Sequence, residues 1–167
     1  MEFAKTIELT AEDLYHFNLL IGKKVFIYTP IVVFLVTLGI CLNVVENYLL
    51  PVMISVIISF AIVFLAMLLL KRKVNKRYAS DRITRLPQQI KLDNIGLHTS
   101  CEIDASNIPW VDFDSAKESK HAFYFILSTR SGYIIPKRLL EPNEVAIIRS
   151  IITKKFPDKD TSLGDEY

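Results

Sequence analysis

Glycine is scarce in this chain, and its scarcity excludes two kinds of catalytic site. Only five glycines occur among 167 residues, and none of them stands in the Gly-rich loop with which a backbone cradles phosphate groups. No serine lies in the G-x-S-x-G context that forms the nucleophile turn of many hydrolases. The sequence therefore contains neither a recognisable phosphate loop nor a recognisable hydrolase nucleophile.

Cysteine and histidine are also few, which argues against metal and thiol sites. Cys41 lies in an apolar run and Cys101 in the polar part, so we expect no disulfide and a reducing compartment for Cys101. His16, His98 and His121 have no Cys or Glu at metal-ligand spacing, whereas a zinc site needs about four convergent ligands. Residues three apart on a strand point to opposite faces, which disfavours a pair of His98 with Cys101. We expect no cofactor, no metal and no catalytic residue, and therefore no enzyme.

Charge is absent from two long stretches of the sequence. Val25–Val45 has 21 residues and Leu49–Leu70 has 22 residues without Asp, Glu, Lys or Arg. At about 1.5 Å per residue each would span about 31 to 33 Å, close to the ~30 Å hydrocarbon core of a bilayer. The sequence therefore predicts two membrane-spanning helices.

Two other interpretations of these runs are disfavoured. A pair of buried core helices would need more surrounding chain than the rest of the sequence supplies. A cleaved signal peptide is usually shorter and begins close to the N-terminus, whereas the first run follows 24 residues that include four acids.

The connection between the runs and the bases after them predict the topology. Glu46, Asn47 and Tyr48 are too few to join anything but an antiparallel hairpin, and Pro51 falls in the first turn of the second helix. Residues 71–85 hold seven bases and one acid. Since segments rich in Lys and Arg stay on the cytoplasmic side, we predict that both termini are cytoplasmic and Tyr48 is outside.

The residues before the first span predict a strand and a helix. Alternation around Phe3–Leu9 is typical of a strand, and Thr10 three residues before Asp13 resembles a capping box. The helix that follows is predicted to be amphipathic.

After Leu86 the sequence changes to short alternating segments that predict an antiparallel sheet. We expect a hairpin turning at Ile95–Gly96, a strand that carries Trp110, and a further pair of strands turning at Ser131–Gly132. A closing amphipathic helix begins near Pro142. Its apolar stripe consists of Val145, Ile148, Ile152 and Phe156.

The heptapeptide GYIIPKR, residues 132–138, indicates how the last strand ends. Pro136 lacks the N–H that a sheet ladder needs, so the strand should stop there. Lys137 and Arg138 would then point into solvent before the closing helix. The alternative is that both belong to a basic surface that meets anionic lipid or an acidic partner.

A candidate binding surface follows from these alternatives. Trp110 is interpreted first as a core residue and second as an exposed recognition residue. The bases after the second span either set the topology or also attract anionic lipid. The candidate surface consists of Trp110, Lys137, Arg138, Lys71, Arg72, Lys73, Lys76 and Arg77.

The order of these features resembles the YcxB-like proteins of bacteria. The resemblance is carried by the two spans, by Ile108-Pro109-Trp110, by IIPKR (residues 134–138) and by the opening ELTAEDLYHFN (residues 8–18). It implies a small cytoplasmic domain similar to a pleckstrin-homology (PH) domain, anchored in the inner membrane. It implies no catalytic activity.

The predicted fold class is a membrane α+β protein: a two-helix transmembrane hairpin and a small C-terminal antiparallel β-sheet (PH-like) domain closed by an amphipathic helix. The predicted segments are an N-terminal strand and helix (1–24), the hairpin (25–70, with spans 25–45 and 49–70), a basic juxtamembrane linker (71–85), the cytoplasmic domain (86–157) and a disordered acidic tail (158–167).

We expect this protein to be a non-catalytic interaction or regulatory module. The alternative is a membrane immunity protein that protects the cell from a secreted toxin; an enzyme acting on lipid head groups is disfavoured by the missing catalytic residues. Expected partners are the lipid bilayer and a protein, either a toxin or a membrane protein, but no nucleic acid. Ser55 and Ser59 form a small-xxx-small pair at which a second copy of the chain could pack, so a homo-oligomer is left open.

Overall fold

The computed structural model describes residues 2–42, 49–128, 131–157 and 161–162. The chain divides into two compact units. One unit, the folded domain, combines Met1–Phe17 with Lys76–Tyr167; the other, the helical hairpin, is Asn18–Asn75. The N-terminal residues thus belong to the C-terminal domain and do not form the separate segment 1–24 that the sequence suggested.

Two long helices correspond to the two apolar runs. They are α1 (Ala11–Leu42) and α2 (Leu49–Ser80), and Pro51 lies in the first turn of α2 as described. Both are long and apolar enough to cross a membrane, and only 0% and 11% of their most apolar windows are buried. Core helices of a soluble protein would be mostly buried. The predicted link at residues 46–48, with Tyr48 outside, lies beyond the described residues.

The basic juxtamembrane linker, residues 71–85, is mostly helical. Helix α2 continues to Ser80, and Asp81 then caps the short helix α3 (Arg82–Arg85) by accepting from the backbone N–H groups of Ile83 and Thr84. The physical reason is that Lys and Arg have high helix propensity, so a base-rich segment extends a helix as readily as it ends one.

The predicted cap at the start of α1 is confirmed. The backbone N–H of Thr10 donates to the Asp13 carboxylate at 2.9 Å, and the backbone N–H of Asp13 donates to the Thr10 hydroxyl at 3.3 Å. These two bonds satisfy donors that the first helical turn would otherwise leave unpaired.

The folded domain contains two four-stranded sheets. In the first, the strands follow chain order and neighbours are antiparallel: β1 (Phe3–Ile7), β2 (Gln88–Leu92), β3 (Gly96–Ser100) and β4 (Ala105–Pro109). In the second, the order is β7-β6-β5-β8, with β8 parallel to β5: β5 (Ser115–Glu118), β6 (Ala122–Ser128), β7 (Ser131–Pro136) and β8 (Thr161–Ser162).

The closing helix α4 (Pro142–Lys155) has the predicted apolar stripe. Ile148, Ile152 and Phe156 are almost fully buried and share one core with residues of both sheets. Glu144 completes a capping box with Glu141 at the start of the helix. Periodicity alone was sufficient to predict this helix and the face that it buries.

The predicted hairpin at Ile95–Gly96 is confirmed, and glycine has a steric reason there. A Cβ on Gly96 would lie 2.0 Å from the carbonyl oxygen of Ile108 on the neighbouring strand. Any side chain would therefore push β3 and β4 apart.

Two expectations about the second sheet were wrong. Ser131 and Gly132 do not form a turn but begin β7, where Ser131 pairs with Ser128. Thr161–Ser162, in the tail expected to be disordered, pair with β5; the rest of 158–167 lies outside the described residues. Both features depend on pairing with a neighbouring strand, which local composition does not reveal.

Candidate functional site

Trp110 is a core residue and not part of an exposed surface. It lies in a 3-10 turn, Trp110–Asp112, between β4 and β5, and not on a strand as predicted. Its side chain is 7% exposed, and its ring lies 5.8 Å from each of the rings of Phe113, Phe125 and Phe156. A large aromatic surrounded by aromatics contributes to packing. The burial of the ring therefore supports the core interpretation of Trp110.

The indole of Trp110 also fixes the loop between β2 and β3. Its Nε1–H donates to the backbone carbonyl of Asp93 at 2.9 Å, and its backbone N–H donates to the carbonyl of Ile95. The Asp93 carboxylate accepts from the backbone N–H groups of Ile95 and Gly96, and these bonds lower the pKa of Asp93 to about 2. The loop is thus held from both sides.

His98 lies beside this loop and pairs with the same aspartate. Its Nε2 is 2.9 Å from the Asp93 carboxylate, and its Nδ1 is 2.8 Å from the Asn107 side-chain oxygen. An acceptor at each ring nitrogen favours the doubly protonated ring. The bond to Asn107, followed by the one to Asp93, raises the pKa of His98 above its ordinary value.

We expect His98 to make the folded domain less stable as the pH rises. Because the pKa of His98 is raised on folding, its contribution is present below the unfolded value of about 6.5 and is lost as the pH rises through the folded pKa. Urea unfolding of the full chain in detergent micelles, followed by the fluorescence of the single Trp110, would measure this between pH 6 and 8. His98→Gln should remove that part of the pH dependence; the same slope in both proteins would contradict the assignment.

Lys137 does not point into solvent, contrary to expectation, but pairs with a buried carboxylate. Its Nζ lies 2.6 Å from Glu118, whose side chain is fully buried at the end of β5, and 5.3 Å from the centre of the Phe123 ring. Arg149 of α4 binds the same carboxylate through Nε, at 3.0 and 3.1 Å, and through Nη2 at 2.6 Å. Glu118 therefore joins the end of β7 to the covering helix.

The charge state of Glu118 follows from these partners. Burial alone would raise the pKa of its carboxyl, but the hydrogen bonds from Arg149 and Lys137 outweigh burial and hold the pKa below its ordinary value. Glu118 is accordingly ionised at neutral pH. A carboxylate that two cations hold in its charged form is suited to a structural role and not to proton transfer.

Arg138 also makes contacts within the domain. Its Nη2 donates to the Asp13 carboxylate at 3.0 Å and to the backbone carbonyl of Glu8 at 2.7 Å. Asp13 is 7% exposed and lies in the first turn of α1. The IPKR element therefore directs one cation to Glu118 at the end of β5 and the next to the start of α1, because the 3-10 turn Lys137–Leu139 separates the two side chains.

The start of α1 packs on the second sheet through further contacts. The ring of Phe17 stacks on that of Tyr124 with centroids 5.8 Å apart, and the rings of His16 and His121 stack at 4.1 Å with an interplanar angle of 15°. A Cβ on Gly132 would lie 3.1 Å from the Phe17 ring, so glycine leaves room for it. The two histidines lie in different segments of the sequence, whereas the fold brings their rings into contact.

The bases at the end of α2 are exposed. Lys71, Arg72 and Lys73 belong to the helical hairpin, and Lys76 and Arg77 to the folded domain. Of the predicted candidate surface, these five residues and Arg138 are exposed, although Arg138 is in an ion pair; Trp110 and Lys137 are largely buried.

The described part of the chain shows little that is suited to catalysis or to a cofactor. Within it, no group of three or more His, Cys, Asp or Glu could hold a metal ion. A shallow polar groove of about 550 Å³ lies on the first sheet. Its lining includes Lys5, Lys91, His98 and Asn107.

Sequence reasoning missed four pairs that organise this domain: Glu118 with Lys137 and with Arg149, Asp13 with Arg138, and His16 with His121. The only available signal was an acid within a strand pattern, in SAKE (residues 115–118). Nothing in the spacing of the residues indicates which base it would meet.

Comparison with protein families agrees with the resemblance seen in the sequence. The family model for YcxB-like protein matches residues 92–152, from the end of β2 into α4, and two apolar helices precede the matched range. No curated protein and no solved structure matches the chain. The resemblance proposed from the Trp110 region and from IPKR is thereby confirmed.

Proposed function

Since residues 92–152 form a YcxB-like domain behind two apolar helices, we propose that the protein is a membrane-anchored, non-catalytic interaction or regulatory protein. The hairpin lies in the inner (cytoplasmic) membrane, and the folded domain is a binding module on its cytoplasmic side. The two sheets, antiparallel except for the β5–β8 pair, and the C-terminal helix support a PH-like fold for this module.

One observation carries this proposal. The folded domain contains both the start of α1 and the end of α2. Near these ends, the hydroxyl of Tyr78 in α2 donates to the backbone carbonyl of Leu9 at 2.9 Å. If both helices cross the bilayer, they must therefore leave the domain and return to it on one side. This supports the antiparallel hairpin and a common compartment for both termini.

The exposed bases at the end of α2 support the cytoplasmic orientation. Lys and Arg close to the end of a span keep their side of the membrane in the cytoplasm. The same side chains attract anionic lipid head groups, by up to about 1 kcal/mol each near the surface. The lipid bilayer is therefore the first partner that we propose.

Binding rather than catalysis is supported by the ionisable groups of the folded domain. Glu118, Asp13 and Asp93 hold loops and helices in place through ion pairs and backbone hydrogen bonds. The second proposed partner is a protein, and a second copy of the chain is a further candidate. An immunity protein against a secreted toxin would have the same architecture and differ in its partner; a toxin gene beside this one would favour that alternative.

The topology can be tested with reporters fused after Tyr167 and inserted in residues 46–48. We expect a reporter that works only in the cytosol to be active at the C-terminus, and one that works only outside to be active in the link. Replacing the five exposed bases Lys71, Arg72, Lys73, Lys76 and Arg77 by Gln should weaken or mix the orientation. A matched variant with Lys91, Lys120 and Lys154 changed to Gln should keep it. Opposite reporter signals in the unmodified chain would contradict the proposal.

A further inference from the structure

The first turns of α1 contact the second sheet through three side-chain pairs, which together we call the clamp. Asp13 pairs with Arg138 at 3.0 Å, Phe17 stacks on Tyr124, and His16 stacks on His121. We define the clamp as residues 11–17 with their partners on the sheet. It is the place where the helix that becomes the first apolar run is attached to the folded domain.

The histidine stack is the contact whose strength depends on pH near neutrality. Two neutral imidazole rings with centroids 4.1 Å apart attract each other. Two protonated rings at the same distance would be like charges in contact, and like charges repel. Histidine is the side chain whose ordinary pKa, about 6.5, places this change in the physiological range.

The groups around the stack determine the sign of the effect. On α1, Glu12 lies 3.8 Å from His16 but is largely exposed, and the Asp13 carboxylate is already bound by Arg138 and Thr10. On the sheet side, Tyr124 is buried and its hydroxyl accepts from the hydroxyl of Ser119, and the exposed Lys120 precedes His121 in the turn. The two acids favour the charged form of His16, and burial and His121 oppose it.

The balance therefore favours the neutral ring of His16 in the folded protein. Burial, and next the neighbouring His121, hold the pKa of His16 below its ordinary value. Such a group binds fewer protons in the folded state than in the unfolded state, so the contact is present above about pH 6.5 and weakens as the pH falls.

We propose that the clamp is a pH-sensitive attachment between α1 and the second sheet, closed at neutral pH and loosened when the partly buried ring of His16 becomes charged against His121. The hydrogen bond from Tyr78 to the Leu9 carbonyl is a separate contact at the end of α2. Acidification of the compartment that holds the domain thus frees the start of α1 without unfolding the sheets.

Hydrogen exchange of the full chain in detergent micelles tests this proposal. At pH 7.5 and 5.5, after correction for the intrinsic pH dependence of exchange, peptides covering residues 8–18 should lose protection at the lower pH. The expected loss of protection is roughly tenfold, which corresponds to about 1.4 kcal/mol. Peptides from β2 and β3 should keep their protection.

Matched histidine variants decide the origin of the loss. In His16→Gln the pH dependence of residues 8–18 should disappear, and in His121→Gln it should become smaller, because burial of His16 remains. His98→Gln, which changes a histidine of the first sheet, should behave as the unmodified chain does. If a folded variant of the stack, judged by Trp110 fluorescence, keeps the full pH dependence, the proposal is overturned. It is also overturned if residues 8–18 of the unmodified chain show no pH dependence.

Discussion

Replacing Trp110 by Ala is expected to lower the free energy of unfolding of the folded domain by about 3–5 kcal/mol, the usual cost of truncating a buried large aromatic. The indole touches three other aromatic rings, so the change leaves a cavity that the sheets and α4 cannot close. It also leaves the carbonyl of Asp93 without its indole donor. Pulse proteolysis of the full chain in urea would measure the loss without needing tryptophan fluorescence.

Two further variants serve as controls for Trp110→Ala: one keeps a ring at position 110, and the other changes the exposed neighbouring residue. Trp110→Phe keeps a ring but removes the indole hydrogen bond, so its effect should be smaller than that of Trp110→Ala. Val111→Ala changes the next residue, which is 78% exposed, and should leave stability nearly unchanged. If Trp110→Ala kept its stability and lost only binding to a partner, Trp110 would be a recognition residue after all.

The second large effect is expected for Glu118→Gln, with a loss of about 3 kcal/mol. Removing one partner of a buried ion pair leaves the remaining charge uncompensated, which typically costs about 3–5 kcal/mol. The lower end applies because the side chain of Arg149 is 46% exposed and can reach water, whereas that of Lys137 is only 16% exposed. Urea unfolding followed by Trp110 fluorescence would measure the change.

Two controls accompany Glu118→Gln: a change of an exposed glutamate and a double variant that also removes Lys137. Glu102→Gln changes an exposed glutamate of the same domain and should have little effect. Adding Lys137→Met to Glu118→Gln should recover part of the loss, because the unpaired cation is then removed as well. Equal losses in the single and double variants would indicate that Lys137 contributes nothing through Glu118.

The acid sensitivity of the domain should change in the same variant. Because the pKa of Glu118 is lowered on folding, its stabilising contribution is present above the unfolded value of about 4.3 and is lost as the pH falls through the folded pKa. The unmodified chain should therefore lose stability over this acidic range, and Glu118→Gln should lose less. A carboxyl that ionised equally in both states would give no such difference.

These expectations change the meaning of the IPKR element. In the sequence, Lys137 and Arg138 were either solvated cations or part of a lipid-binding surface. In the structure, one neutralises Glu118 and the other binds Asp13. Attraction to anionic lipid is therefore assigned to the exposed bases at the end of α2.

The sequence by itself determined the elements whose signal is local. Charge-free runs of 21 and 22 residues predict two long apolar helices, because a helix satisfies its backbone hydrogen bonds within one segment. The apolar stripe of α4 recurs every three or four residues, and the two residues of the cap, Thr10 and Asp13, are three apart. Helix geometry brings residues at these spacings together wherever the helix lies. The end of β7 at Pro136 follows because proline has no backbone N–H to donate to the sheet.

Only the tertiary structure decided which distant residues meet. Asp13 and Arg138 are 125 positions apart, and Arg149 is 31 positions from Glu118. Nothing in the spacing distinguishes these bases from the exposed ones after α2. Strand β1 likewise joins the YcxB-like domain only because it pairs with β2. Both long helices separate these two strands in the sequence. Burial decides whether a charged side chain needs a partner. A charge inside the domain must be paired, whereas the same side chain on an exposed helix need not be.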